Sequence, residues 1–215
     1  GSGVDYILGD HGTITFNDGT AGSTLGSLKQ ASSTLTGIGG IDTIIAGNGN
    51  NVVLAGQGAD DVTTGTGMDI IFGDSGVANA NGLGVLTDAE SNGLGDGGND
   101  VIAAGSGENV VFGGQGDDNI TSTTVAGDRD ILVGDSGRVV LTSSIVTLFE
   151  TTDASEATGG NDIILGSNAD TYAAGGSGAD QITTGSGVDF ILGDHGKVTY
   201  NLDGSLSQAI STLTD

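Results

Sequence analysis

Glycine recurs at a nine-residue interval through part of this chain, at Gly40, Gly49, Gly58, Gly67 and Gly76. Two residues after the first four stand Asp42, Asn51, Asp60 and Asp69, and two further on stand Ile44, Val53, Val62 and Ile71. The pattern returns with Asp100, Asn109, Asp118 and Asp130, followed by Ile102, Val111, Ile120 and Leu132. It returns again with Asp162, Asp170, Asp180 and Asp189, followed by Ile164, Tyr172, Ile182 and Ile191. Nine residues fit no helical face, but they fit a short strand centred on one inward apolar residue and then a Gly-rich turn. Two such segments complete one coil, and coils stack at the strand spacing of roughly 4.8 Å. The inward column of Ile and Val is then a one-dimensional core, which is why 4% aromatic residues suffice. Two slips, twelve residues from Asp118 to Asp130 and eight from Asp162 to Asp170, are expected to be bulges in turns.

A longer period contains the shorter one. The segment Gly3-Val4-Asp5-Tyr6-Ile7-Leu8-Gly9-Asp10-His11-Gly12 returns almost unchanged at 187–196, and Gly-Asp-x-Gly motifs begin at 9, 73, 134 and 193. The chain therefore reads as a partial repeat end over 1–12 and three units: 13–76, 77–137 and 138–196. Each unit opens with an insert (13–38, 77–96, 138–158) before its nonapeptides (39–76, 97–137, 159–196), and 197–215 is a partial insert. The inserts read as β-hairpins, with Asp18-Gly19 and Asp203-Gly204 as turn signals. The whole is expected to be an all-β, parallel β-roll or β-solenoid interrupted by these hairpins.

Twenty-eight acidic residues against four basic ones leave a formal charge of −24, which repels nucleic acid and anionic membrane surfaces alike. No apolar run approaches the ~18 residues of a membrane span. Cysteine is absent, which excludes disulfides, thiolate metal sites and a Cys nucleophile.

In the stacked geometry, residues eighteen apart lie over one another. One edge carries Asp42 over Asp60, Asp100 over Asp118 and Asp162 over Asp180; the other carries Asn51 over Asp69, Asn109 over Asp130 and Asp170 over Asp189, with Asp5 at its start. Two carboxylates about 5 Å apart repel by roughly 3 kcal/mol at an effective dielectric near 20. Such ladders call for a cation between the rungs. Carbonyls of the turn glycines would complete its shell: Gly47, Gly49, Gly56, Gly58, Gly65, Gly67, Gly105, Gly107, Gly114, Gly116, Gly176, Gly178, Gly185 and Gly187. A flexible, all-oxygen site suits Ca²⁺ better than Zn²⁺ or the strictly octahedral Mg²⁺. Asn51 and Asn109 are read as weaker ligands that lack the charge. Asp10, Asp74, Asp135 and Asp194, in the Gly-Asp-x-Gly motifs, are either additional ligands or turn caps. The bland alternative for every one of these residues is that Asp and Asn simply favour Gly-rich turns.

Gly113-Gly114-Gln115-Gly116-Asp117-Asp118-Asn119-Ile120-Thr121 and Gly175-Gly176-Ser177-Gly178-Ala179-Asp180-Gln181-Ile182-Thr183 resemble the GGxGxDxUx nonapeptide of RTX (repeats-in-toxin, hemolysin-type) calcium-binding proteins. The resemblance implies a parallel β-roll with several Ca²⁺ ions in the turns of both edges. It also implies a bacterial protein exported unfolded by type I secretion, folding on external calcium, extracellular or at the cell surface. The sixty-residue unit is similar to arrays in giant secreted or surface-attached members of the family.

Outward positions on one sheet are apolar too: Val52, Leu54, Ile70, Phe72, Val110, Phe112, Ile131, Val133, Phe190 and Leu192. A sheet apolar on both faces is normally covered on both, so the inserts are expected to pack over it and give each unit a second small core. His11 and His195 belong to one repeated motif, no HExxH or GxSxG occurs, and active sites are rarely copied three times, so no enzyme is expected. The expected role is a calcium-binding stalk, spacer or scaffold, with calcium and flanking repeats of the same chain as partners. The rivals are an adhesin-like module for glycan, neighbouring cells or ice, for which Thr63-Thr64, Thr121 and Thr183-Thr184 hint at a threonine row, and the C-terminal roll of a secreted enzyme.

Overall fold

The computed structural model describes residues 1–20, 22–34, 37–92, 97–123, 125–152 and 158–212. Twenty-one strands form three sheets, and no helix occurs among the described residues. A central, seven-stranded parallel sheet consists of Tyr6–Leu8, Val52–Leu54, Ile70–Phe72, Val110–Phe112, Arg129–Val133, Asp170–Ala174 and Phe190–Leu192, in that spatial order. An outer, six-stranded parallel sheet runs alongside it through Thr43–Ile45, Asp61–Thr63, Val101–Ala104, Asn119–Ser122, Ile163–Leu165 and Gln181–Thr183. Within the nonapeptide blocks the chain alternates between these two sheets, strand by strand.

The spacing of the apolar residues explains the pairing. Val53, Ile71, Val111 and Leu132 of the central sheet and Ile44, Val62, Ile102, Ile120 and Ile164 of the outer sheet form one buried cluster, all 0–7% exposed. Register is maintained across the inserts as well as within the blocks. Val101 pairs with Asn119, eighteen residues on, and with Asp61, forty residues back across a hairpin. The parallel ladders therefore run past the inserts without a break.

Each interrupting segment is a hairpin: Gly12–Phe16 with Leu28–Ser33, Gly76–Ala80 with Leu86–Ser91, Gly137–Thr142 with Ile145–Thr151, and Gly196–Tyr200 with Leu206–Ser211. At the tips, Gly19 and Gly204 both take φ +80°, as the Asp-Gly signals require. The hairpins do not make a separate small core for each unit. Neighbouring hairpins pair with one another, Leu28–Ser33 with Gly76–Ala80, Leu86–Ser91 with Gly137–Thr142, and Ile145–Thr151 with Gly196–Tyr200, so all four merge into one eight-stranded antiparallel sheet. That sheet lies over the second face of the central one. Val52, Leu54, Ile70, Phe72, Val110, Phe112, Ile131 and Val133 pack beneath Leu28, Leu86, Val139, Val146, Phe149 and Val198. Phe72 and Phe112 stack at 5.0 Å, each 1% exposed, while Phe190, on the terminal strand, is half-buried.

The two slips behave differently. The twelve-residue one is taken up in the turn before Arg129–Val133, and Asn109 still aligns with Asp130. The eight-residue one shifts the frame by one residue: Asp130 pairs with Thr171, and Leu132 with Ala173. Ala173, not Tyr172, is thus the inward residue; Tyr172 turns to the covering sheet and meets the rings of Phe149 at 6.1 Å and Tyr200 at 5.5 Å.

Phe112 ties the central sheet to its cover. Phe112→Ala should cost about 3–5 kcal/mol, the usual range for emptying a buried aromatic site, read as a lower denaturant midpoint in saturating Ca²⁺. A loss under about 1 kcal/mol would mean that the covering sheet is not packed there.

Candidate metal ladder

Both edges where the chain crosses between the parallel sheets are built on glycine columns. On the first edge Gly58 and Gly116 take φ +124° and +109°, and a Cβ on either would lie 2.5 Å from the carbonyl oxygen of Gly40 or Gly98 in the preceding coil. Only glycine allows the backbones to approach this closely.

Against this column the first edge sets six aspartates in one line. The Asp42 N–H donates to Asp60 Oδ1 at 2.7 Å, Asp60 to Asp100 at 2.7 Å, Asp100 to Asp118 at 2.7 Å, Asp118 to Asp162 at 2.8 Å, and Asp162 to Asp180 at 3.0 Å. One carboxylate oxygen of each acceptor is thereby engaged with backbone. The other, Oδ2 of Asp60, Asp100, Asp118, Asp162 and Asp180, is buried with no hydrogen-bond partner. These oxygens share their space with carbonyls. A Cβ placed on Gly73 would fall 2.1 Å from Asp100 Oδ2 and 2.5 Å from Gly113 O; on Gly113, 2.2 Å from both Asp118 Oδ2 and Gly134 O; on Gly134, 2.0 Å from Asp162 Oδ2 and 2.8 Å from Gly175 O. Sequence reasoning missed this column of Gly73, Gly113, Gly134 and Gly175, because each stands directly after a strand and reads as a turn residue.

Burial without compensation raises these carboxyls. Desolvation pushes Asp60 up to about 6, Asp162 to about 8, Asp100 to about 9 and Asp118 to about 11, and the neighbouring carboxylates (Asp42, Asp135, Asp74 and Asp100 respectively) add to the rise. Asp180 is raised for the same reason. Backbone N–H donors oppose the rise at each, but do not cancel it.

The second edge is more varied. Asp5, Asn51, Asp69, Asn109 and Asp130 form its ladder: Asp5 N–H donates to Asn51 Oδ1 at 3.1 Å, Asn51 to Asp69 Oδ1 at 2.8 Å, Asp69 to Asn109 Oδ1 at 3.2 Å, and Asn109 to Asp130 Oδ1 at 3.1 Å. Asp130 Oδ2 accepts from Ser122 Oγ at 2.6 Å. Asp69 Oδ2 has no partner of good geometry, and desolvation raises that carboxyl, with the Thr64 hydroxyl and the Asn51 groups opposing the rise. Asp170 does not stand over Asp189 in this ladder. The one-residue frame shift puts buried Thr171 there, donating its N–H to Asp189 Oδ1 at 3.1 Å, while exposed Asp170 accepts from the Val188 N–H at 2.8 Å.

The Gly-Asp-x-Gly aspartates act as stitches at the corners where the hairpins leave. Asp74 accepts from the Gly98 N–H at 3.3 Å and the Gln115 N–H at 2.6 Å, joining the re-entry of its own hairpin to the next coil. Asp135 does the same for Gly160 and Ser177, and Asp10 accepts from the Gln57 N–H at 2.7 Å. Asp194 is exposed. A further outer line went unnoticed in the sequence: Asn99 Oδ1 accepts from the Asp117 N–H at 3.0 Å, Asp117 Oδ1 from the Asn161 N–H at 2.7 Å, and Asn161 Oδ1 from the Ala179 N–H at 3.0 Å. Its signal was the Asn or Asp immediately before each ladder aspartate.

Among the described residues no three His, Cys, Asp or Glu side chains converge on one point. A cation on the first edge must therefore draw part of its shell from carbonyls. The donor set fits a hard cation: orphaned carboxylate oxygens, carbonyls, and no nitrogen or sulfur ligand. The model for the RTX calcium-binding nonapeptide repeat matches residues 36–71, 94–123 and 165–197, with four copies. The chain carries RTX calcium-binding nonapeptide repeats. Comparison with curated proteins and with solved structures gives no match. The matched segments hold Asp42, Asp60, Asp100, Asp118 and Asp180 of the first ladder and Asn51, Asp69 and Asn109 of the second, while Asp162, Asp5 and Asp130 lie outside them, as do the hairpin strands except the start of Gly196–Tyr200.

The raised carboxyls set a pH dependence for the calcium-free chain. Their folded values lie above the ordinary 3.8, so the folded state holds protons that the unfolded state releases. That stabilisation is complete below about pH 4 and is lost as pH rises through about 6 to about 11. In chelator, far-UV circular dichroism should report more folded protein at pH 5 than at pH 9, and saturating Ca²⁺ should abolish the alkaline loss. Equal calcium-free stability at both pH values would contradict the buried-carboxyl geometry.

Proposed function

We propose that this chain is a calcium-stabilised structural segment of a larger secreted or cell-surface bacterial protein, in which the two parallel sheets and their edges form a β-roll serving as stalk, spacer or scaffold. The observation that carries this reading is the first-edge ladder, where five buried carboxylate oxygens lack any partner beside a column of carbonyls. When bound there, Ca²⁺ supplies the positive charge that the ladder lacks, and its binding free energy becomes folding free energy. The chain's own part is to hold each aspartate by one oxygen on the backbone of the preceding coil, so that the other oxygen faces the carbonyl column. RTX repeats are typical of secreted proteins, which favours an extracellular setting with millimolar calcium, and export in the unfolded state fits a chain whose fold waits for that ion.

Of the two histidines, His195 joins the roll to a neighbouring hairpin. The His195 ring lies between two hydroxyls, with Ser177 Oγ 3.0 Å from Nε2 and Thr151 Oγ1 3.4 Å from Nδ1. Ser177 is 3% exposed, closed to a substrate. Among the described residues the outer sheet presents no unbroken threonine row. Across the outer sheet the row in register reads Ile45, Thr63, Ala103, Thr121, Leu165 and Thr183, so threonine alternates with apolar residues.

Titration of Ca²⁺ into chelated protein at pH 8 should increase the β content of its circular dichroism spectrum and raise its melting temperature, reversibly on adding EDTA. A β spectrum unchanged by excess EDTA would refute the proposal. Mg²⁺ at the same concentration should substitute poorly, because the cradle is irregular and rich in carbonyls.

A further inference from the structure

The two edges of the parallel sheets solve the same electrostatic problem in different ways. On the first edge each ladder residue is Asp, and from Asp60 to Asp180 each has Oδ1 accepting the backbone N–H of the preceding coil and Oδ2 left without a partner. Asn51 and Asn109 occupy the equivalent place on the second edge and are fully buried. Their Oδ1 atoms accept the N–H groups of Asp5 and Asp69, as an aspartate would. The amide nitrogen therefore falls where an aspartate has its free oxygen.

That nitrogen makes good contacts there. Asn51 Nδ2 donates to Gly47 O at 3.1 Å, to Gly49 O at 3.0 Å and to Asp69 Oδ1 at 3.0 Å. Asn109 Nδ2 donates to Gly105 O at 3.2 Å. Two carbonyls and a neighbouring carboxylate are the kind of donor set that a hard cation takes. Turning the amide over to offer its oxygen to a cation would aim the NH₂ group at the Asp5 or Asp69 N–H, donor against donor, in a buried site. The backbone ladder thus fixes the amide's orientation.

We propose that Asn51 and Asn109 stand in for the cation at their rungs, the side-chain NH₂ of Asn51 bridging two carbonyls and a carboxylate, and that of Asn109 engaging the Gly105 carbonyl, oxygens that Ca²⁺ would otherwise hold. They are then metal-free positions rather than weakened ligands, and calcium loading is asymmetric, concentrated on the all-aspartate edge. The Asn51 and Asn109 rungs are pre-assembled without metal on either side of Asp69, whose Oδ2 stays without a partner, and they give the coils calcium-independent points of register before the first edge closes. This inference rests on the calcium-binding reading of the first edge.

The test is the number of ions bound, measured by isothermal titration calorimetry and by native mass spectrometry of the full chain. Asn51→Asp and Asn109→Asp should each gain about one Ca²⁺, and the double variant about two, with a lower melting temperature in chelator than the wild type. In the reverse direction, Asp118→Asn should lose about one Ca²⁺ and melt higher than the wild type in chelator, since its new NH₂ would meet the carbonyls that now face an orphaned carboxylate. All binding is read in excess Ca²⁺, where each variant is folded. If the wild type binds Ca²⁺ but the double asparagine variant binds no more, the surrogate role is wrong while the calcium reading stands. If the wild type binds none, the calcium reading itself fails.

Discussion

Everything in this molecule depends on the hydrogen bond from a backbone N–H of one coil to a single side-chain oxygen of the residue below it. At five successive steps on the first edge that oxygen is Oδ1 of an aspartate, at 2.7–3.0 Å. The bond fixes the register of the parallel strands and the direction of the carboxylate together. It also creates the molecule's main liability: a line of second oxygens, inside the protein, with nothing to satisfy them. An isolated buried carboxylate is costly enough that it either takes up a proton or acquires a counter-ion. The rising affinity of these groups for protons and their fitness for Ca²⁺ are two expressions of the same desolvated charge.

Glycine is the second half of the constraint. A carboxylate oxygen and a carbonyl can share the space at Gly73, Gly113 and Gly134 only because no side chain fills it. The same absence of a Cβ lets the turns stack with carbonyl oxygens against Cα atoms at Gly58 and Gly116. One glycine in five residues is thus the stereochemical condition for both the stacking and the ladder. The covering sheet is the third part. It gives Phe72, Phe112 and Ile131 an apolar neighbour, so that the central sheet is buried on both faces although the coils themselves enclose only a narrow core.

Much of this was legible in the chain. The nine-residue period located the strands, and the two rows of Asp and Asn located the edges, because a parallel stack converts sequence spacing directly into vertical alignment. The hairpins were announced by Asp18-Gly19 and Asp203-Gly204, and their place over the central sheet by the doubly apolar strands at Val52–Leu54 and Ile70–Phe72. Other features were not legible. Tyr172 and Asp170 fit the period as well as their neighbours do; only pairing with Arg129–Val133 shows that an eight-residue spacing moves Ala173 inward and Thr171 onto the ladder. Asp74 and Asp135 looked equally suited to hold metal or cap a turn, and it is the position of the N–H groups of Gln115 and Ser177, some forty residues later, that engages them.

The sequence by itself determined the local geometry: strand, glycine turn, carboxylate, inward apolar residue, and a charge of −24 too regular to be a solvated surface. Those are properties of single nonapeptides, and a nonapeptide can be read alone. The tertiary structure decided what the repeats do to one another. It joined four separate hairpins into one sheet, since their strand edges meet only once the coils beneath are stacked. It also separated aspartate from asparagine, because the backbone N–H that claims one side-chain oxygen comes from another coil and leaves a free oxygen in one case and an NH₂ in the other.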